Sequence, residues 1–287
     1  MKLHHIASIA CCAVLMVSLT ACKKESPAEN AMDHMQFVTG DDSVSMVDDL
    51  NPTTVFDQYG VVIRATGFFY DGTEGPYVTC TISNKNDHPI HLYGDAFSIN
   101  GRMVHGAFDS SIGADNELET ASIQFSRQEL SEVGIDIVER IEVLFSAYWD
   151  SGQEAFSLAN FIVGSEEATS SEVPSRAEAI YNSSQLVICP GEDTRRGIHL
   201  QLANNASYPI FVTIDAVSET VSSQRIAIRD PGQFILPGAM AHFDEEIPRE
   251  SVVDAGYSES PREFFIHGTL SASLTSEVSF TTAIYQP

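Results

Sequence analysis

The sequence predicts an all-β chain of two tandem β-sandwiches, each with one short helical turn, and three observations predict it. Short runs rich in β-branched and aromatic residues follow one another closely, several of them alternating apolar with polar residues. Gly, Asn, Asp and Pro punctuate these runs, as turn chemistry requires. A stretch of the first half then recurs in the second at an offset of 120 residues.

The chain opens on a leader. Lys2, His4 and His5 precede an apolar run from Ile6 to Leu19, the shape of a secretory signal peptide over residues 1–21. Its 14 residues are fewer than the roughly 20 that span a bilayer core. Leu19-Thr20-Ala21-Cys22 resembles a bacterial lipobox: an aliphatic residue, two small residues, and a cysteine whose thiol accepts a diacylglycerol. The resemblance implies lipidation of Cys22 by palmitate-type acyl chains, cleavage before it, and an extracytoplasmic chain anchored to a membrane of the bacterial cell envelope. More than one acyl chain makes such attachment stable.

Residues 22–54 are polar and acidic, with Asp41-Asp42-Ser43 and Asp48-Asp49 and no helical periodicity. Such a segment buries too little apolar surface to offset its ordering entropy and is expected to be a disordered acidic tether. The 32 residues after Cys22 would hold the folded part about 30 Å from the bilayer on average, and at most about 110 Å.

The first sandwich is expected over 55–163. Strands are predicted at 61–70, 77–83, 90–97, 119–125, 137–149 and 155–163, all β-branched or aromatic in character. Ser126-Arg127-Gln128-Glu129 has the form of a capping box, with Ser126 accepting from the Glu129 amide and the Glu129 side chain reaching back. Leu130 and Val133 give that turn an apolar side, and Gly134 ends it. A Ser-, Glu- and Thr-rich stretch, 164–176, reads as a linker, and the second sandwich is expected over 177–287.

The repeat sets the equivalences. Thr81-Ile82-Ser83-Asn84-Lys85-Asn86-Asp87-His88-Pro89-Ile90 matches Gln201-Leu202-Ala203-Asn204-Asn205-Ala206-Ser207-Tyr208-Pro209-Ile210, and Asp95-Ala96 matches Asp215-Ala216. Asn84 and Asn204 hold the same turn position, where an Asn side chain can bond the backbone. Pro89 and Pro209 open the next strand, where a missing amide does least harm. After a shift of two residues Gly134 matches Gly256, following a second candidate helical turn around Arg249 to Ala255. Cys80 falls opposite Leu200, which marks it as a core position.

This succession of apolar strand, Asn-rich turn, Pro-aliphatic strand, capped turn and Gly resembles the repeated immunoglobulin-like modules of uncharacterised lipoproteins and secreted proteins of Gram-positive bacteria. Neither repeat has the Cys-Trp-Cys signature of antibody domains, and the single Trp, Trp149, comes late in the first. The resemblance implies a fold and a location. It also implies binding or spacing units, not enzymes, and carries no catalytic residue or cofactor across.

Charge narrows the partners. With 15 Lys and Arg against 40 Asp and Glu the formal net charge is −25, which argues against nucleic acid and against anionic headgroups. Outside the leader and anchor two cysteines are left, Cys80 and Cys189. Alternation puts Cys80 with Val78 and Ile82 on an apolar strand face, so a buried thiol is expected there rather than a disulfide.

No G-x-S-x-G, H-E-x-x-H, P-loop or complete EF-hand loop occurs. His88 and His91, with Asp87, are metal-ligating types at close spacing, but their counterparts Tyr208 and Phe211 cannot replace them as a metal pair. Asp109, Asp115, Glu117 and Glu119 crowd one segment, where clustered carboxylates could hold Ca²⁺; their spacing matches no known calcium loop, and a solvated acidic loop accounts for them more simply. The sequence therefore leads to a non-catalytic binding or adhesion module for an envelope or host protein or glycan. An extracytoplasmic small-ligand or divalent-metal-binding lipoprotein, and a structural spacer, are the alternatives. Recognition is expected on the segments 101–116 and 227–238, taken as loops.

Overall fold

The structure, a computed structural model, describes residues 35–36, 53–71, 75–135, 137–163, 178–191, 197–219, 225–229, 232–246, 264–271 and 277–285. The leader, Cys22, most of the expected tether, the linker 164–176, and the helical turn expected near Arg249 with Gly256 lie outside the described residues.

The first half carries β1 (Met35–Gln36), β2 (Thr53–Gln58), β3 (Val61–Asp71), β4 (Gly75–Asn84), β5 (Ile90–Ile99), β6 (Arg102–Val104) and β7 (Gly106–Ala107). It continues with β8 (Asp109–Ile112), β9 (Asn116–Phe125), α1 (Arg127–Glu132), β10 (Ile137–Val138), β11 (Ile141–Trp149) and β12 (Glu154–Val163). The second half carries β13 (Tyr181–Asn182), β14 (Leu186–Pro190), β15 (Gly197–Asn204), β16 (Ile210–Glu219) and β17 (Arg225–Arg229). Then come β18 (Gln233–Ile235), β19 (Met240–Glu246), β20 (Phe264–Ser271) and β21 (Glu277–Tyr285).

Among the described residues the strands form three large sheets and the small pair β1-β10. The first sheet runs β2-β3-β4-β9-β7 and the third β17-β16-β20-β21, with β18 also on β16. The central sheet runs β12-β11-β5-β6-β19-β15-β14-β13, with β8 on β5. Two immunoglobulin-like sandwiches follow, β3-β4-β9 facing β5-β11-β12 and β14-β15-β19 facing β16-β20-β21.

Strand alternation builds the cores. In β4 the buried positions are every second residue from Pro76 through Val78, Cys80 and Ile82 to Asn84. Val78, Cys80 and Ile82 pack with Ile63, Ile90, Leu92, Phe97, Val143 and Phe145 in the first core, where burying each large apolar side chain contributes about 1.5–3 kcal/mol. The second core gathers Leu186, Ile188, Leu200, Leu202, Ile210, Ile214, Phe243 and Phe264.

Cys80 and Cys189 are both buried thiols rather than a disulfide. Burial pushes the Cys80 thiol from 9.0 up to about 12. Its folded pKa exceeds the unfolded one, so its contribution is complete below pH 9 and is lost as the pH rises towards 12, by up to about 1.4 kcal/mol per pH unit. Denaturant midpoints at pH 8 and 10.5 should show this slope in the native sequence and a flatter one in Cys80→Ala. Equal slopes would refute the assignment.

The helical turn forms as its sequence predicts at its C-terminal end and in part at its N-terminal end. The Ser126 hydroxyl accepts from the Glu129 amide at 3.4 Å. Gly134, at φ 70°, follows α1, the Ile135 amide donates to the Leu130 carbonyl at 2.8 Å and the Gly134 amide to Ser131 at 3.2 Å, a Schellman ending. The Glu129 carboxylate does not complete the capping box. It accepts instead from the His105 amide at 2.8 Å and contacts His105 Nδ1 at 2.7 Å.

Several expectations are corrected. The expected strand 137–149 is broken, because the Asn100 side-chain oxygen takes the amides of Glu139 and Arg140 at 2.8 and 3.0 Å, removing both from any ladder. The segment 101–116, taken as a loop, contains β6, β7 and β8, and 227–238 contains the end of β17 and β18. The tether is structured at two points: Met35–Gln36 pairs with Ile137–Val138, and Thr53-Thr54 begin β2.

The two sandwiches share structure. Asn100 and Gly101, at φ 51° and 76°, make the positive-φ two-residue turn between β5 and β6. That turn aims the Gly101 carbonyl at the Met240 amide, 2.7 Å away, and β6 runs parallel to β19 at Arg102 and Met240. Ala96 and Leu144, on the outer face of the first sandwich, are buried in the second core. The central sheet is continuous through this joint.

Candidate functional site

The joint leaves a groove of about 1610 Å³ where the repeats meet. One wall comes from β5, β6 and α1 of the first repeat, the other from β14, β18 and β19 of the second. Its carboxylates are Asp95, Glu129, Glu132, Glu178 and Asp244, and Arg102 is the one Lys or Arg among the described lining residues. The groove is anionic on a chain that is already strongly acidic.

Paired histidines fix its walls. His105 is tied to Glu129 as described above, and His199 Nδ1 lies 3.0 Å from Asp244 across the β15-β19 ladder. His242, two residues before Asp244, has its Nε2 buried without a hydrogen bond among the described residues. Burial lowers its pKa most, Asp244 opposes that and Arg102 adds to it. The ring is therefore neutral at pH 7. A folded pKa below 6.5 means its contribution to stability is complete above pH 6.5 and declines as the pH falls through the folded value.

The residues singled out by sequence are not brought together as a metal centre. Among the described residues no three His, Cys, Asp or Glu side chains are placed to hold a metal ion. Asp109 is on β8, Asp115 sits in a turn at φ 48°, and Glu119 is exposed on β9. Glu117 is on β9, but its side chain lies outside what is described. The His88 ring lies 3.4 Å from its neighbour Asp87, while the His91 ring on β5 meets Ser111 and Asp150.

His91 joins a constellation that no sequence motif announces. Its Nδ1 meets Ser111 Oγ at 2.8 Å and its Nε2 meets Asp150 at 2.9 Å. Ser, His and Asp in a row resemble a nucleophile relay, but the surroundings differ from one. The Asp150 side chain is 60% exposed and that of His91 37%, so water screens the pair. Ser111 lies within a strand, not at a helix N-terminus that would supply oxyanion donors. These contacts tie β8, β5 and the turn after β11 together at the surface.

No protein-family description matches this sequence, and no curated protein matches it. Solved structures do. The YadV chaperone is similar at 12% identity and a TM-score of 0.24, over 79% of this chain and 100% of that one. The CsuC–CsuE chaperone–tip adhesion subunit complex of Acinetobacter baumannii Csu pili is similar at 12% identity and TM-score 0.22, over 71% and 90%. A β-glucuronidase 2 of Bacteroides uniformis is similar at 12% identity and TM-score 0.20, over 75% of this chain and 26% of the enzyme. Likenesses of this size carry no ligand, assembly or activity to this chain.

The groove could not be read from the sequence, since its walls come from two repeats, residues 94–133 on one side and 178–244 on the other. One local signal was present: Asn100-Gly101, between Ile99 and Arg102-Met103-Val104, is a hairpin-turn dipeptide, and that hairpin positions β6 at the joint.

Proposed function

We propose that this chain is a lipid-anchored protein of the bacterial cell envelope, held outside the membrane through an acylated Cys22, that binds a protein or glycan of the envelope or host without acting on it as an enzyme. Two immunoglobulin-like sandwiches present the binding surface. The observation that carries the reading is the acidic groove between repeats whose central sheet and second core are shared. A shared sheet fixes the two walls relative to each other, so the groove is preorganised for a partner and costs little to order on binding.

Its size favours a macromolecule. At about 1610 Å³ it exceeds the roughly 300–1,000 Å³ of ordinary small-molecule pockets. The carboxylate lining repels nucleic acid and anionic lipid, consistent with the charge of −25.

Two measurements test the proposal. Labelled palmitate should enter the native chain and not Cys22→Ala, and the variant should leave the membrane fraction; a variant that stays there refutes the anchor. The full-length protein, presented to purified envelope proteins and to a glycan array, should retain a defined partner reversibly. Uniform absence of binding would instead leave a spacer.

A further inference from the structure

The outer face of the central sheet in the first repeat presents two adjacent cross-strand rows. The first is Ser111–His91–Tyr148–Glu154 and the second is Asp109–Tyr93–Ser146–Ser157, each reading across β8, β5, β11 and β12. Directly opposed residues share a face, so Tyr93 and Tyr148 stand together. Their rings meet edge to face at 5.9 Å between centroids. Neither phenol hydroxyl hydrogen-bonds to a described residue.

Carboxylates ring the tyrosines. Asp109 flanks Tyr93 and Glu154 flanks Tyr148, as their strand neighbours. Asp150 is held by His91, and Asp95 receives a hydrogen bond from Ser146 while also lining the groove between the repeats. These four acids are exposed and the tyrosines are half-buried. The rows contain no Lys or Arg.

The fold does not require this arrangement. In the second repeat the corresponding row is Thr213–Thr269–Ser279, with Thr213 where the first repeat has Tyr93, and a Thr213–Thr269 hydroxyl bond of 2.8 Å replaces the ring contact. One sandwich therefore forms with hydroxyls at this place, and the other sets two aromatic rings on a solvent-facing surface.

We propose that the Tyr93–Tyr148 face recognises the cationic side chains of a basic protein segment, the rings taking an ammonium or guanidinium over their faces and Asp95, Asp109, Asp150 and Glu154 pairing its charge. Aromatic rings attract cations through their quadrupole, and carboxylates beside them supply charge-assisted hydrogen bonds. A neutral glycan would use the rings but would leave four carboxylates without an opposite charge, which is why the observations favour a cation. Burial first, then Asp95, Glu154 and Tyr93, hold the Tyr148 phenol above its usual pKa, so it stays neutral and keeps its proton at pH 7. This assignment rests on the binding reading above and gives that binding its chemistry.

The test titrates the full-length acylated protein in detergent micelles with a heptalysine peptide and with the same peptide fully acetylated, following the fluorescence of Trp149, the one tryptophan. Heptalysine should bind and the acetylated peptide should not. Tyr148→Leu, which changes no charge, and Glu154→Gln, on an exposed side chain, should each weaken binding about tenfold. Asp57→Asn, on β2 of the opposite sheet, should weaken it less than twofold. Equal losses for Asp57→Asn and Glu154→Gln would show attraction to net charge alone and overturn the proposal, as would tighter binding of a neutral glycan at this face. Should Tyr148→Leu misfold by circular dichroism, Glu154→Gln against Asp57→Asn decides. A partner found with the full-length protein and held equally by native, Tyr148→Leu and Glu154→Gln chains would overturn this face while leaving the binding function in place.

Discussion

Asn204→Ala is expected to destabilise the protein by about 3 kcal/mol, and Asn84→Ala by a similar amount. Asn204 is 1% exposed. Its amide nitrogen donates to the carbonyls of Tyr208 and Ile235, both at 2.9 Å, and its oxygen accepts from the Ala206 amide at 2.8 Å. Asn84 repeats the pattern, donating to His88 and Gly113 at 2.8 and 3.1 Å and accepting from Asn86 at 3.0 Å. Alanine removes three bonds and restores none. The Tyr208 carbonyl lies in an exposed turn and can find water, but Ile235 is fully buried, and a buried group left unpaired costs about 1–3 kcal/mol. Aspartate should do no better, since it replaces the donor with an oxygen facing two carbonyl oxygens. Urea unfolding of the three Asn204 forms measures this; a loss below about 1 kcal/mol for alanine would show that the bonds contribute little.

That pair was legible because the same side chain does the same work in both repeats, and a turn of this kind is local. The strand runs were legible for a related reason: an alternation such as Val78, Cys80, Ile82 records burial directly. Short strands were not. β6 and β18 have three residues each and β8 four, too few to show a period, so their segments read as loops. The capping box was half legible, because Ser126 acts on its own turn whereas Glu129 is claimed by His105, 24 residues away.

Contacts set by register were out of reach. Alternation tells which residues of one strand share a face, but the row Ser111–His91–Tyr148–Glu154 depends on how four strands slide past one another. The same holds for the Gly101–Met240 bond that joins the repeats. A signal for the joint did exist in β11. Ile141 to Ala147 is buried at every position, and its run Val143-Leu144-Phe145 breaks the alternation of a half-exposed strand. A strand apolar on both sides is covered on both sides, and here the second cover is the other repeat.

Leu144→Ala is therefore expected to destabilise the second sandwich although Leu144 belongs to the first. Leu144 is 3% exposed, stands opposite Ala96 on β5 and Ala159 on β12, and packs with the second core. Its removal leaves a cavity between small neighbours that cannot move in to fill it, at a cost of about 2–5 kcal/mol. Repeats joined only by a linker would unfold independently, and the loss would fall on the first alone. A shared core predicts otherwise. Amide hydrogen exchange should speed up in β15 and β16 as much as in β4 and β5, and urea unfolding should remain one transition, shifted to lower denaturant. Exchange that quickens in the first repeat while β15 and β16 keep their native protection would show the two sandwiches to be energetically separate. The groove between them would then have movable walls, and its preorganisation, the feature that favours binding, would be lost with the joint.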